Sequence, residues 1–232
     1  MIKELPKQVP SQESLLLTVT GRDACKFLQG QLTCDVATLA DGHETLGAYC
    51  NIKGKVDSLF TLRRAAEDYH LSMHQDLLQP TLQELKKYAV FSKVKLDIMD
   101  STTPAIDEKQ QILNKIPAIY SQTINTFFPH DINLPALGAV SFTKGCYRGQ
   151  EIVARMEHRG NIKRSMYVFT SKHGVQPGDT VTTNDARDAG TVVRACWAHD
   201  MSLGLAVIAS AHLQQTLFIR NTECSIEIPC EF

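Results

Sequence analysis

The chain has 232 residues, 43% of them hydrophobic and 21% charged, with a formal net charge of -1. That length buries roughly 70% of the surface its unfolded form exposes and suits one large domain or two modest ones. The totals exclude a disordered or fibrous chain, a polynucleotide partner held by overall charge and a membrane-spanning segment, and the start, Met1-Ile2-Lys3-Glu4-Leu5-Pro6, lacks the apolar core of a signal peptide, so a cytoplasmic protein is expected.

The first predicted element is a strand over residues 14–20, where β-branched and larger apolar residues alternate until Gly21. In residues 22–31, Ala24, Phe27 and Leu28 recur at helical spacing, Asp23 suits the positive end of the dipole, and Gly30 reads as the stop. The loop Gln31-Leu32-Thr33-Cys34-Asp35-Val36 offers an amide and a carboxylate, either to a pocket or to turn-making and capping. Residues 45–51 and 55–64 predict two strands of a hairpin turning at Gly54. Lys53-Gly54-Lys55 lacks the upstream glycine and downstream Ser/Thr of a Walker phosphate loop. Asp57, at the start of the second strand, faces either a cleft or plain solvent.

A further strand is expected over 68–74 and an amphipathic helix over 76–90. Its apolar face carries Leu78, Leu82, Leu85 and Ala89, with Pro80 in the first turn and Glu84, Lys86 and Lys87 toward water. A strand over 93–99 completes a β-α-β-β-β-α-β order of the mixed α+β class. Residues 100–116 are polar with little periodicity and read as a linker, and Pro117, Pro129 and Pro135 predict extended chain after it. β-Prone runs at 161–171, 181–183, 190–194, 202–209, 216–219 and 224–228 predict a small antiparallel barrel or sandwich. Two domains follow: 1–160, α+β, and 161–232, a C-terminal β-barrel.

The seven cysteines (Cys25, Cys34, Cys50, Cys146, Cys196, Cys224, Cys230) are odd in number and show no C-x-x-C spacing, so neither disulfides nor a zinc site is expected. Cys196 and His199 are close enough to share a metal but lack two further partners, and read as packing residues. One stretch stands apart: Phe142-Thr143-Lys144-Gly145-Cys146-Tyr147-Arg148-Gly149-Gln150-Glu151, followed by a helix-like run over 152–156. Its glycines permit a sharp turn that presents Cys146 at the mouth of that helix. There the dipole, Lys144 and Arg148 would favour thiolate; the plainer alternative is an inert cysteine buried in a turn. From residue 144 to 164, six Lys/Arg face two Glu. With screening over about 8 Å, that excess suits a bound carboxylate or phosphate, or is simply a solvated basic face. Gln150 and Glu151 add groups able to read the donor/acceptor edge of a heterocycle.

Lys144-Gly145-Cys146-Tyr147-Arg148-Gly149-Gln150-Glu151 resembles the K-G-C-[YF]-x-G-Q-E signature of the YgfZ-type folate-binding proteins, relatives of the glycine-cleavage T-protein, an aminomethyltransferase. The likeness extends to residues 27–36, 51–56, 87–94 and 133–142. It implies an α+β region and a C-terminal barrel around a tetrahydrofolate site, and work in assembling or repairing iron–sulfur clusters in client enzymes, including one that modifies tRNA. On that resemblance Cys146 is the motif cysteine, and Lys144, Tyr147, Gln150 and Glu151 are its motif neighbours. Arg155 and Arg159 suit the folate glutamate tail, and Asn51 and Asp57 join the candidate folate-binding residues. The partners implied are folate, iron–sulfur client enzymes and assembly proteins, with no direct nucleic acid or membrane. Two departures are visible: the linker at 100–116 stands where relatives carry a ferredoxin-like half, and Leu113-Asn114-Lys115-Ile116-Pro117 lacks the acidic residue that T-protein relatives place before a Gly-x-Pro turn. Two rival readings stay open: a one-carbon transferase with Asp57 as general base, and a folate-free protein-interaction module.

Overall fold

A computed structural model describes residues 11–104, 107–160 and 163–227. The first layer is an antiparallel sheet of five strands, β1 (Ser11–Thr20), β2 (Glu44–Cys50), β3 (Val56–Ala65), β4 (Asp68–Ser72) and β5 (Lys95–Pro104), in the order β2-β3-β4-β1-β5. Two helices, α1 (Ala24–Gln31) and α2 (Gln75–Ala89), lie on it, and their apolar faces define one core. Ala24, Phe27 and Leu28 meet Leu78, Leu82 and Leu85 there, over Leu17, Val19, Leu62 and Leu71 of the sheet. The second layer is a closed antiparallel barrel, with strands in the order β10-β11-β6-β9-β8-β7. These are β6 (Arg164–Ser171), β7 (Thr180–Thr183), β8 (Asp188–Ala198), β9 (Met201–Ala209), β10 (Leu217–Ile219) and β11 (Thr222–Glu227). No helix among the described residues is long and apolar enough to cross a membrane.

Several local expectations are corrected. Gly30 does not stop α1; the helix runs through Gln31, and Leu32 is its C-cap. Pro80 sits inside α2 beyond the first turn, where its missing N–H leaves a gap in the helical ladder that packing of Leu77, Leu78 and Leu82 outweighs. Residues 100–116 are not a structureless linker. β5 continues to Pro104 because β1 pairs with it residue for residue, from Thr20↔Lys95 to Ser11↔Pro104. A short helix follows, α3 (Glu108–Leu113), N-capped by Asp107, whose carboxylate accepts from Gln110 N at 3.0 Å. Arg194 of β8 fastens α3 to the barrel, its Nε donating to Glu108 Oε2 at 2.6 Å and Nη1 to Ile116 O at 3.2 Å. The proline-containing stretch is not extended either. Residues 129–138 coil through successive turns, with Leu134 N bonded to Pro129 O and Leu137 N to Asn133 O. The ends of the expected strands at 161–162 and 228, and Cys230, lie outside the described residues.

The last helix, α4 (Gln150–Arg159), opens at Gly149 in the left-handed region. One core joins the two layers around it: Ala48, Cys50 and Val56 of the sheet, Val153 of α4, and Met166, Val168, Val193 and Leu205 of the barrel. The motif is thus the seam between sheet and barrel, fixed by apolar burial on both sides.

Candidate functional site

The β2–β3 hairpin and the start of α4 are pressed together by two glycines. Gly149 has φ +79°, and a Cβ there would lie 2.4 Å from Asn51 O. Gly54, φ +74°, would put a Cβ 2.8 Å from Ile152 Cβ. Neither position accepts a side chain, so the motif's second glycine is required by both backbone angle and contact. Gly145 has neither constraint. Asn51, a candidate folate ligand, is used up locally: its Oδ1 accepts from Lys53 N at 2.9 Å and Lys55 N at 3.1 Å, and its Nδ2 donates to Asn125 Oδ1.

Cys146 is exposed and lines a cavity of about 300 Å³ with Gly30, Gln31, Ile52, Tyr88, Tyr147 and Arg148. The cations expected beside its sulfur are engaged elsewhere. Lys144 is buried, and its Nζ donates to Leu32 O at 2.8 Å and Cys34 O at 2.7 Å, tying the loop after α1 to the motif. Burial pulls its ammonium down to about 8, against the raising influence of Cys34 and Asp35. Arg148 donates to Tyr49 OH, lies 3.5 Å from Glu84 Oε2, and has its central carbon 5.0 Å from the ring centroids of both Tyr49 and Tyr88. Lys144 is therefore a strut, and Arg148 faces two tyrosines and a carboxylate.

Asp57 is half-buried rather than solvated, close enough to Arg148 and Glu84 to feel their charges. Burial pushes its carboxyl up to about 6; Arg148 opposes that shift and Glu84 reinforces it. Tyr147 is buried, and desolvation with Cys50 nearby drives its hydroxyl well above the ordinary tyrosine range. Seven buried side-chain atoms among the described residues lack a hydrogen-bond partner, and four are here: Gln31 Oε1, Asp57 Oδ1, Tyr147 OH and Arg148 Nε. Buried polar atoms are nearly always paired, so this concentration makes the junction a candidate site.

Of the other candidates, Gln150 and Glu151 occupy the first turn of α4, where Glu151 pairs with Arg155 at 2.7 Å on an exposed face. The side chain of Arg159 lies outside the described residues. Of the polar loop, Gln31 turns to the cavity, while Asp35 makes a turn, accepting from Ala37 N at 3.2 Å and Gln29 Nε2 at 2.9 Å. Tyr49 and Glu84 were not singled out from sequence, Glu84 being placed toward water. The available signal was the helical offset that puts Glu84 and Tyr88 one turn apart on α2. Among the described residues, no group of three His, Cys, Asp or Glu closes around a common point, and His199 meets Lys109 rather than a metal partner.

The chain is 31% identical over 270 residues to the tRNA-modifying protein YgfZ of Aliivibrio fischeri strain MJ11, covering 88% of this chain and 85% of that one. That span exceeds the 232 residues of this chain, so the relative holds inserted residues within it. It is 40% identical over 195 residues to an uncharacterized protein of Haemophilus influenzae, covering 66% and 70% of the two chains. In structure it is similar to the glycine cleavage system aminomethyltransferase T from Bartonella henselae, with a TM-score of 0.67 over 96% of this chain and 87% of that one, at 13% identity. The fold is shared at that distance. No family model matches the chain.

Proposed function

Because the chain belongs to the YgfZ family of tRNA-modifying proteins, we propose that it is a cytoplasmic tetrahydrofolate-binding factor for assembly or repair of iron–sulfur clusters in client enzymes, with an indirect effect on tRNA modification. The observation that carries this reading is the exposed thiol of Cys146 on a cavity whose walls hold buried, unpaired polar atoms. Its volume, about 300 Å³, is at the small end of ligand pockets and suits one flat ring system rather than a whole cofactor. The lining fits a pterin. Tyr88 offers an exposed aromatic face beside Cys146, and Gln31 and Tyr147 complete the wall.

Tetrahydrofolate, when bound, supplies amine nitrogens that carry a one-carbon unit. The chain's own part is to hold the ring beside Cys146 and keep the motif rigid through Lys144 and the Gly54–Gly149 contact. Arg155, half-exposed on α4, would meet a glutamate tail by exchanging its Glu151 partner. The cluster is cargo, to which Cys146 offers one sulfur. The test is replacement of Cys146 by serine in cells lacking the native protein: client iron–sulfur enzyme activity is expected to fall to the level without the protein, and unchanged activity contradicts the reading.

A second reading, one-carbon transfer, is favoured by Asp57, whose carboxyl near 6 is matched to taking a proton from an amine close to neutrality. Methylene transfer from an aminomethyl donor to tetrahydrofolate, abolished by Asp57→Asn, distinguishes it from the first. The folate-free interaction module is decided by titration: no tetrahydrofolate binding up to about millimolar concentration would favour it.

A further inference from the structure

Within the motif, position 148 carries a planar cation, the guanidinium of Arg148. Its guanidinium is flanked by Tyr49 and Tyr88 at 5.0 Å, with Glu84 3.5 Å away and Asp57, whose Oδ1 is unpaired, close enough to feel its charge. An arginine serving as a fixed strut pairs its whole fork, because each buried N–H left without an acceptor is destabilising. Arg148 does not: its Nε is buried without a partner, and its side chain remains 15% exposed on the wall of the Cys146 cavity. Two tyrosines, the Glu84 carboxylate, which also accepts from Lys87 Nζ, and the nearby Asp57 surround a flat array of N–H donors around one carbon. A guanidinium is such an array, and so is the N–C(NH2)–N edge of a 2-aminopyrimidinone ring.

We propose that Arg148 is an internal occupant of this cleft, standing in for the aminopyrimidinone edge of a pterin-type ligand, and that it swings into solvent before the ligand takes its place. The proposal rests on the folate reading for the identity of that ligand and on the geometry of the cleft for the occupancy itself. Arg148 thereby sets specificity, since only a group able to replace a guanidinium against Glu84 and Asp57 displaces it. A ring without an N–H edge would leave the half-buried Asp57 carboxyl facing an apolar surface, and is rejected, while Glu84 keeps its Lys87 partner either way. Burial keeps the Asp57 carboxyl high while Arg148 is in place, consistent with a carboxyl that the arginine serves incompletely. The competition also lowers affinity, because the ligand binds only the fraction of molecules in which the arginine is out.

The test compares the full chain with Arg148→Ala, using Arg148→Thr for the same measurements should the alanine variant not fold. Tetrahydrofolate is expected to bind Arg148→Ala about tenfold more tightly than the unmodified chain. Equal or weaker binding by the variant would overturn the proposal, since the arginine would then be inert or a ligand contact. If neither protein binds tetrahydrofolate, the folate reading falls, and occupancy is decided by a small probe. Methylguanidinium at about 10 mM should raise the melting temperature of Arg148→Ala but not of the unmodified chain, and methylammonium should raise neither. No shift with methylguanidinium would overturn occupancy as well.

Discussion

Arg194 and Arg148 both have side chains largely withdrawn from water, and their surroundings differ. Arg194, 5% exposed, joins β8 to α3 with Nε on Glu108 and Nη1 on the Ile116 carbonyl. Arg148, at the seam of sheet and barrel, has an unpaired Nε and lies among Gln31, Asp57 and Tyr147, each with a buried atom also unpaired. One region uses its polar groups to fix α3 against the barrel; the other leaves them unspent on a cavity beside an exposed thiol. Satisfied burial here serves architecture, and unsatisfied burial held by rigid backbone singles out the candidate site.

The contrast is most severely tested at Gly149, which holds the unspent region rigid. Gly149→Ala combines a left-handed φ with a Cβ against Asn51 O, and is expected to destabilise by about 3 kcal/mol or more in urea unfolding. Unfolding like the unmodified chain would mean the junction is loose. Next is Arg194→Met, expected to cost about 2 kcal/mol while leaving tetrahydrofolate affinity unchanged; a matching loss of affinity would erase the distinction between the two regions.

Asp57→Asn should move the opposite way. The folded carboxyl titrates at about 6, above its ordinary 3.8, so its neutral form contributes stability that is fully present below about pH 4 and lost as pH rises through 6. The amide keeps that contribution. It should stabilise by about 1 kcal/mol near pH 7.5, after discounting for partial exposure, and by almost nothing near pH 4. A gain independent of pH would assign the effect to packing instead. The smallest effect belongs to Arg155→Ala on the exposed face of α4, within about 0.5 kcal/mol in the same unfolding experiment.

Much of the scaffold was legible in the sequence because it rests on periodicity. Alternation placed the strands of the sheet and barrel, and the spacing of Leu78, Leu82 and Leu85 placed α2. What escaped depends on partners distant in the chain. β5 runs past Met99 only because β1 lies alongside it, and α3 is held by Arg194, some eighty positions away. At the site, the signature identified the exposed Cys146 and the tight Gly149 turn. The direction of Lys144 was illegible, since its acceptors are the main-chain carbonyls of Leu32 and Cys34, and carbonyls carry no sequence signal. The gathering of Tyr49, Asp57, Glu84 and Arg148 likewise required strand, helix and motif to be folded together.

The central claim, that the cavity beside Cys146 receives tetrahydrofolate, is tested most directly by alkylation of that thiol with iodoacetamide, read by mass spectrometry at Cys146 across a tetrahydrofolate titration. Saturable protection of Cys146 is expected, with labelling of the partly buried Cys25 unaltered. Alkylation of Cys146 at an unchanged rate up to about millimolar tetrahydrofolate would contradict it.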